Sequence, residues 1–276
     1  MKTLYAADPV RYARMTTAEM RENFLLDDLF RAGTIQLVYS DVDRAVVGGA
    51  VPTSGTLTLA AADELRAAFF CERRELGVIN TGEPGAVTVD DAVFRMENRD
   101  GLYIGRGSRS ISFSSADAKK PACFYLLSYP AHAAHPTRQA RKADAEAVPL
   151  GSDEACNKRT IYKYIHPAGI ESCQLVMGFT ELAEGSVWNT MPPHTHARRM
   201  EVYLYFDMDE DNIVFHLMGP ADETRHLVVR DREAVLSPSW SLHSGAGIRR
   251  YSFVWGMGGE NQAFDDMDGI DIRKLL

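Results

Sequence analysis

Along most of the chain, apolar residues alternate with polar ones or gather in short blocks, and each block stops at a cluster of Gly, Pro, Asn, Asp or Ser. A period of two punctuated by turn residues predicts short β-strands. "TIQLVYSDVDRAVVGGAVPTSGTLTL" (34–59) shows the pattern first, and "GAVTVDDAVFRMENRDGLYIGRGSRSISFSS" (85–115) repeats it with Asp-Asp, Arg-Asp-Gly and Gly-Arg-Gly turns. Strands return from Ile161 to Gly259, in "CQLVMGFTEL", "MEVYLYF", "NIVFHLMG", "RHLVVR", "EAVLSPSW" and "YSFVWGM".

Two stretches depart from this period. "TAEMRENFLLDDLFRA" (17–32) places Met20, Phe24, Leu25, Leu29 and Phe30 at near-helical intervals, which predicts a helix over Thr17–Ala32. Thr16 or Thr17 would cap it, with Glu19 in the first turn. A second, shorter helix is expected around Ala61–Phe70. Residues 130–160 are poor in large apolar side chains and rich in Ala, Pro and charge, as a linker would be.

The expected organisation is therefore mainly β, as two barrels with a few short helices. Residues 1–135 would form an N-terminal barrel with a helical opening, 136–158 a linker or crossover, and 159–276 a C-terminal barrel. A faint internal echo supports duplication: "RDGLYIGRGSRSISF" (99–113) and "REAVLSPSWSLHSGAG" (232–247) both put a polar turn before a short apolar strand and then small residues.

Composition narrows the field only a little. The 276 residues carry a net charge of −8. That excess of acid argues against a general partner role with nucleic acid or an anionic membrane. No stretch reads as a signal peptide or a membrane span. Cys71, Cys123, Cys156 and Cys173 lack C-x-x-C spacing, as expected of reduced thiols in a cytoplasmic protein.

The densest chemistry lies in "NTMPPHTHARRMEVYLYF" (189–206). Residues two apart on a strand share a face, so His194 and His196 would present both imidazoles to one side. Glu201 has the opposite parity and joins them only if the chain turns near Ala197–Arg199. His243, in "SPSWSLHSGAG", offers a third imidazole. Three neutral imidazoles and a carboxylate suit a divalent transition metal, zinc foremost, with iron, manganese or nickel compatible with the same ligand types. The competing reading is polar decoration of an ordinary strand. No histidine precedes His132, so any metal would belong to the C-terminal half.

H-x-H, a nearby Glu and a distant His among short strands resemble the cupin metal signature. The usual glycine after the Glu is replaced by an acidic turn, and Pro238-Ser239-Trp240 stands where Pro-x-Gly is usual. A more specific resemblance covers nearly the whole chain. "ESCQLVMGFTELAEGSVWNTMPPHTHARRMEVYLYFDM" (171–208), "ETRHLVV" (223–229), "LSPSWSLHSGAG" (236–247), "WGMGGENQAFDDMD" (255–268), "VYSDVDRAVVGG" (38–49) and "CERRELGVINTG" (71–82) look like the 5-keto-4-deoxyuronate isomerases, also called 4-deoxy-L-threo-5-hexosulose-uronate ketol-isomerases.

The resemblance implies two cupin-type barrels, one Zn2+ per subunit in the C-terminal barrel, and a homo-oligomer, commonly a hexamer. Its ligands would be His194, His196, Glu201 and His243. It also implies an intramolecular oxidoreductase that converts 5-keto-4-deoxyuronate to 3-deoxy-D-glycero-2,5-hexodiulosonate in the catabolism of pectin or related uronate polysaccharides. Glu201, Lys163 and Glu171 are the acid–base candidates, and Arg198, Arg225, Gln174 and Tyr203 the substrate-binding candidates. Arginine is favoured for a carboxylate because its planar fork binds two oxygens at once. A dioxygenase using the same ligands, or a non-catalytic sugar-binding cupin, would share the fold and differ in chemistry.

Overall fold

The computed structural model describes all 276 residues and is mainly β. It divides into two units: Met1–Leu4, Asp28–Ala145 and Tyr164–Met177 form the first, while Tyr5–Asp27, Glu146–Lys163 and Gly178–Leu276 form the second. Residues 5–27 therefore count with the second unit. The 136–158 segment supplies an edge strand to each unit, Arg138–Ala140 to the first and Glu146–Leu150 to the second.

The first unit has a seven-stranded sheet in the order Lys2–Leu4, Ile35–Ser40, Val46–Ala50, Phe124–Pro130, Arg74–Asn80, Gly101–Ile104, Arg138–Ala140. Its four-stranded sheet runs Leu57–Thr58, Ile111–Ser115, Gly85–Val89, Ala92–Met96. Alternation along the strands turns one face of each sheet inward, and Leu76, Val78 and Leu126 meet Val87, Ile111 and Phe113 in one apolar core.

The second unit repeats the plan. Its seven-stranded sheet runs Glu146–Leu150, Arg159–Ile165, Val176–Leu182, Ser252–Gly259, Arg199–Phe206, Ala234–Ser237, Leu25–Leu26. Its five-stranded sheet runs Arg225–Val229, Val214–Gly219, Leu242–Gly247, Trp188–Thr195, Asp268–Gly269. Gly178 lets the large sheet close around an aromatic wall, because a Cβ there would stand 2.2 Å from the Tyr162 carbonyl oxygen and 2.5 Å from the Trp255 ring.

The opening helix is shorter than its periodicity predicts. It covers Thr17–Phe24, capped by Thr16 in a reciprocal pair with Glu19. Leu25 and Leu26 then leave the helix and pair with Val235 and Ala234 at the sheet edge, where both are buried. Tertiary pairing overrides the helical pattern there. Around 61–70, 3-10 turns at Asp63–Leu65 and Phe70–Glu72 replace the expected helix. No helix is long and apolar enough to cross a membrane.

Candidate metal centre

His194 lies near the end of the Trp188–Thr195 strand, directly opposite His243 on Leu242–Gly247. The ladder between Asn189 and His194 shifts register where Pro192 and Pro193 interrupt it. His196 follows one residue past the strand. The chain then turns and enters Arg199–Phe206, a strand of the other sheet, and that crossing brings Glu201 to the same point from the opposite wall.

The Nε2 atoms of His196 and His243 each stand 3.1 Å from Nε2 of His194. Glu201 Oε2 is 2.9 Å from Nε2 of both His196 and His243. All four donor atoms lie within 4.8 Å of one another. His196, Glu201 and His243 are buried, and His194 is partly so.

Protonation can be read from the partners behind the rings. Nδ1 of His196 is 2.6 Å from the Asp266 carbonyl oxygen. A carbonyl only accepts, so Nδ1 carries the proton and Nε2 turns a lone pair toward the cluster. Nδ1 of His243 has the Ser237 hydroxyl at 3.2 Å. Burial, then the neighbouring His243, pushes the His194 pKa down to about 3, which leaves the ring neutral near pH 7. Burial alone would raise Glu201, but His243 and His196 outweigh it and hold the carboxyl well below its usual range. Three ring nitrogens this close, facing a carboxylate, fit a cation between them. Zinc–ligand distances of about 2.0–2.1 Å place tetrahedral donors roughly 3.3 Å apart, close to these separations.

The cluster forms part of the wall of a cavity of about 320 Å³. His194, His196 and Glu201 line it with Arg159, Thr180, Thr190 and Tyr203 among the polar side chains. The remainder of the wall is apolar, including Phe253, Trp255, Met257 and Phe264. A concave, mostly apolar site with few convergent polar groups is typical of small-ligand binding.

Of the residues singled out in the sequence, the structure gathers the four metal candidates, with Tyr203 beside them in the cavity wall. The Tyr203 ring centre is 5.2 Å from that of His243, and its hydroxyl is 3.2 Å from Thr190 Oγ1. Burial, then the Glu201 charge, raises the phenol well above its usual pKa and keeps it protonated.

The others lie elsewhere. Arg198 binds Asp266 and Asp268, with Nε donating to Asp266 at 2.8 and 3.0 Å, so its charge is already matched. By holding Asp266 it steadies the carbonyl behind His196. Arg225 donates to the Ala13 and Met15 carbonyls and pairs with Glu223, tying down the N-terminal segment. Lys163 pairs with Glu146 at 3.3 Å and lies 4.9 Å over the Phe264 ring, just outside the lining. Gln174 and Glu171 belong to the first unit. Gln174 donates to the Pro130 carbonyl there, and Glu171 is exposed with His135 at 3.9 Å.

Arg159, Thr180 and Thr190 went unnoticed in the sequence. Arg159 was within reach of pattern reasoning, because Arg159, Ile161 and Lys163 alternate on one face of their strand and the first two line the cavity.

A family model described as "KduI/IolB family" matches residues 25–272. A 4-deoxy-L-threo-5-hexosulose-uronate ketol-isomerase of Lachnoclostridium phytofermentans is 54% identical over 275 residues, covering 100% of both chains. The Bacillus subtilis protein of the same name is 51% identical over 275 residues, again with 100% of both covered. Among solved structures, an IolB-like protein of Salmonella typhimurium superposes with a TM-score of 0.68 at 15% identity, covering 87% of this chain and 94% of that one. A Bacillus subtilis oxalate decarboxylase superposes at 0.61 with 10% identity, covering 87% and 78%. These two likenesses concern the fold, which is the expected pair of cupin-type barrels.

Proposed function

The chain belongs to the KduI/IolB family, and from that premise we propose that it is a metal-dependent ketol-isomerase acting on 5-keto-4-deoxyuronate. The observation that carries this reading is the convergence of three imidazole nitrogens and one carboxylate oxygen within 4.8 Å at the wall of a ligand-sized cavity. Relatives at about half identity over their full length bear the name of that reaction.

The proposed ligands are His194, His196, Glu201 and His243, and the proposed ion is zinc, one per subunit, which matches three nitrogens and an oxygen. When bound, the ion supplies a Lewis acid for the carbonyl and neighbouring hydroxyl oxygens of the sugar.

The reaction moves a carbonyl from C1 to C2. A proton leaves C2, charge develops as an enediolate, and a proton arrives at C1 while the hydroxyl proton passes from O2 to O1, with no net oxidation and no co-substrate. Glu201 is the one carboxylate in the cavity wall, so it is the group placed to carry that proton. Tyr203 stays protonated and, with Thr190, offers hydroxyl donors to sugar oxygens. The apolar wall of Phe253, Trp255 and Met257 excludes water from the charge that develops.

A homo-hexamer and a cytoplasmic setting complete the proposal. The first rests on the family resemblance and the second on four cysteines that form no disulfide, as suits a reducing compartment. The test is turnover of enzymatically prepared 5-keto-4-deoxyuronate by metal-loaded protein beside a His196→Ala variant, with metal content measured on both. Conversion by the parent, without oxygen uptake, and loss of both metal and activity in the variant are the expected results. Metal bound by a parent that does not convert the sugar would sink the isomerase reading.

A further inference from the structure

The cavity that holds the metal candidates also holds an arginine without an acid. Arg159 stands on the Arg159–Ile165 strand and lines the cavity together with Ile161 and, from the neighbouring strand, its register partner Leu150. It is the sole cationic side chain of the lining apart from the imidazoles. Its hydrogen bond within the protein is Nη1–H to the Asn157 carbonyl oxygen at 2.9 Å, a neutral acceptor that anchors one arm of the fork.

Three other arginines of this unit are matched by carboxylates. Arg198 has Asp266 and Asp268, Arg225 has Glu223, and Arg250 has Glu184 and Asp207. The groups electrostatically coupled to Arg159 are the phenols of Tyr203 and Tyr251, both raised by burial and therefore uncharged. Burial pulls the guanidinium's own pKa down, the mark of a charge held away from water without compensation. A half-buried cation in a ligand cavity, with one arm fixed and no carboxylate paired to it, is placed to receive an anion.

We propose that Arg159 is the carboxylate receptor of this cavity, gripping the acid group of a sugar whose reacting end lies at the His/Glu cluster. Tyr203 neighbours both, with its ring against His243 and its phenol within the field of Arg159. Such a receptor makes the carboxylate, and not only the reacting end of the sugar, a requirement for binding. Uncharged hexoses are discriminated against because they leave the guanidinium unpaired. This rests on the isomerase reading for the identity of the sugar, but the preference for a carboxylate can be measured without turnover.

The experiment is calorimetry of zinc-loaded protein with D-glucuronate and with D-glucose, on the parent, Arg159→Gln and Arg159→Lys, together with turnover of 5-keto-4-deoxyuronate. The parent is expected to bind glucuronate at least tenfold more tightly than glucose. Arg159→Gln should abolish that preference and raise KM about 100-fold, in line with the loss of a charge-assisted bidentate pair. Arg159→Lys, which keeps charge and loses the fork, should fall between and controls for misfolding, with zinc content and melting temperature as further checks. A parent with no preference for the acid, or an Arg159→Gln variant that keeps it, overturns the assignment. Preference lost in Arg159→Gln from a parent that does not convert the uronate upholds the receptor and removes the isomerase.

Discussion

The two barrels are built to one plan and filled differently. Counting strands from Ile35–Ser40 in the first unit and from Arg159–Ile165 in the second, the shared strands of both large sheets run 1-2-9-4-7, and those of both small sheets run 3-8-5-6. In the first unit the interior is hydrocarbon, with Leu76, Ile104, Ile111, Phe113 and Phe124 in one cluster. In the second, the corresponding strands carry His194, His243 and Glu201, with His196 just past the strand end, around a cavity.

One position makes the contrast concrete. Leu76 pairs with Ile104, the last residue of the neighbouring strand, and Glu201 pairs with Ser237, also the last residue of its neighbour. The fold thus tolerates either a leucine or a buried glutamate of the proposed metal centre at that register. Function resides in which side chains a barrel turns inward, and the strand order is common to both.

The comparison can be pressed hardest by making the second barrel resemble the first. Glu201→Leu should abolish metal binding and lower turnover by about 10³-fold or more, since metal and proton carrier go together. The metal-free variant should be as stable as the metal-free parent or more so, because a buried carboxylate gives way to hydrocarbon. Metal content and urea denaturation of both proteins without metal would check this, and a metal-free variant that is markedly less stable would refute the claim of interchangeable interiors.

The converse change belongs in the first barrel. Phe113→Ala should destabilise the protein by about 3–5 kcal/mol through a cavity in that core. Metal stoichiometry in the folded fraction should be unchanged, and its loss would mean that the two interiors are not separable in function.

The remaining effect concerns acid. His216 is fully buried in the second barrel with Nδ1 2.8 Å from the Tyr205 hydroxyl, and burial pushes its pKa down to about 3. Because the folded value lies below the unfolded value of about 6.5, the unfolded chain binds more protons between the two. His216 therefore stabilises the fold fully above pH 6.5, and that stability falls as pH drops toward 3, by about 1.4 kcal/mol per unit. Denaturation between pH 4 and 6 should show a slope shallower by one proton in His216→Phe. An unchanged slope would place the acid sensitivity elsewhere.

Much of this was legible along the chain. The period-two pattern marked the strands. The echo between 99–113 and 232–247 falls on strands seven and eight of each barrel, where Arg99 and Arg232 both take positive φ, of 72° and 61°. The H-x-H spacing and the parity of Glu201 pointed to a turn between them, and the chain does cross from one sheet to the other there. These are local properties, in which spacing and alternation control the facing of a side chain.

Nearness in sequence is a weaker guide to which arginine lines the cavity. Arg198 and Arg225 are near the H-x-H segment or share its unit, yet both are matched to carboxylates elsewhere. Arg159 is thirty-five positions before His194 by residue number and reaches the same cavity.

The sequence by itself determined that the chain forms β-strands, that they recur in two sets, that a histidine–glutamate group resides in the second set, and that the family's signature runs through both. Only the tertiary structure decided that Leu25–Leu26 close a sheet instead of extending a helix, that the Asp266 carbonyl orients His196, and that Arg159 is the arginine lining the cavity. The physical reason is one of range. Strand periodicity is set by neighbours two residues apart, whereas burial, charge compensation and cavity lining depend on chain segments that meet only once the two sheets have packed.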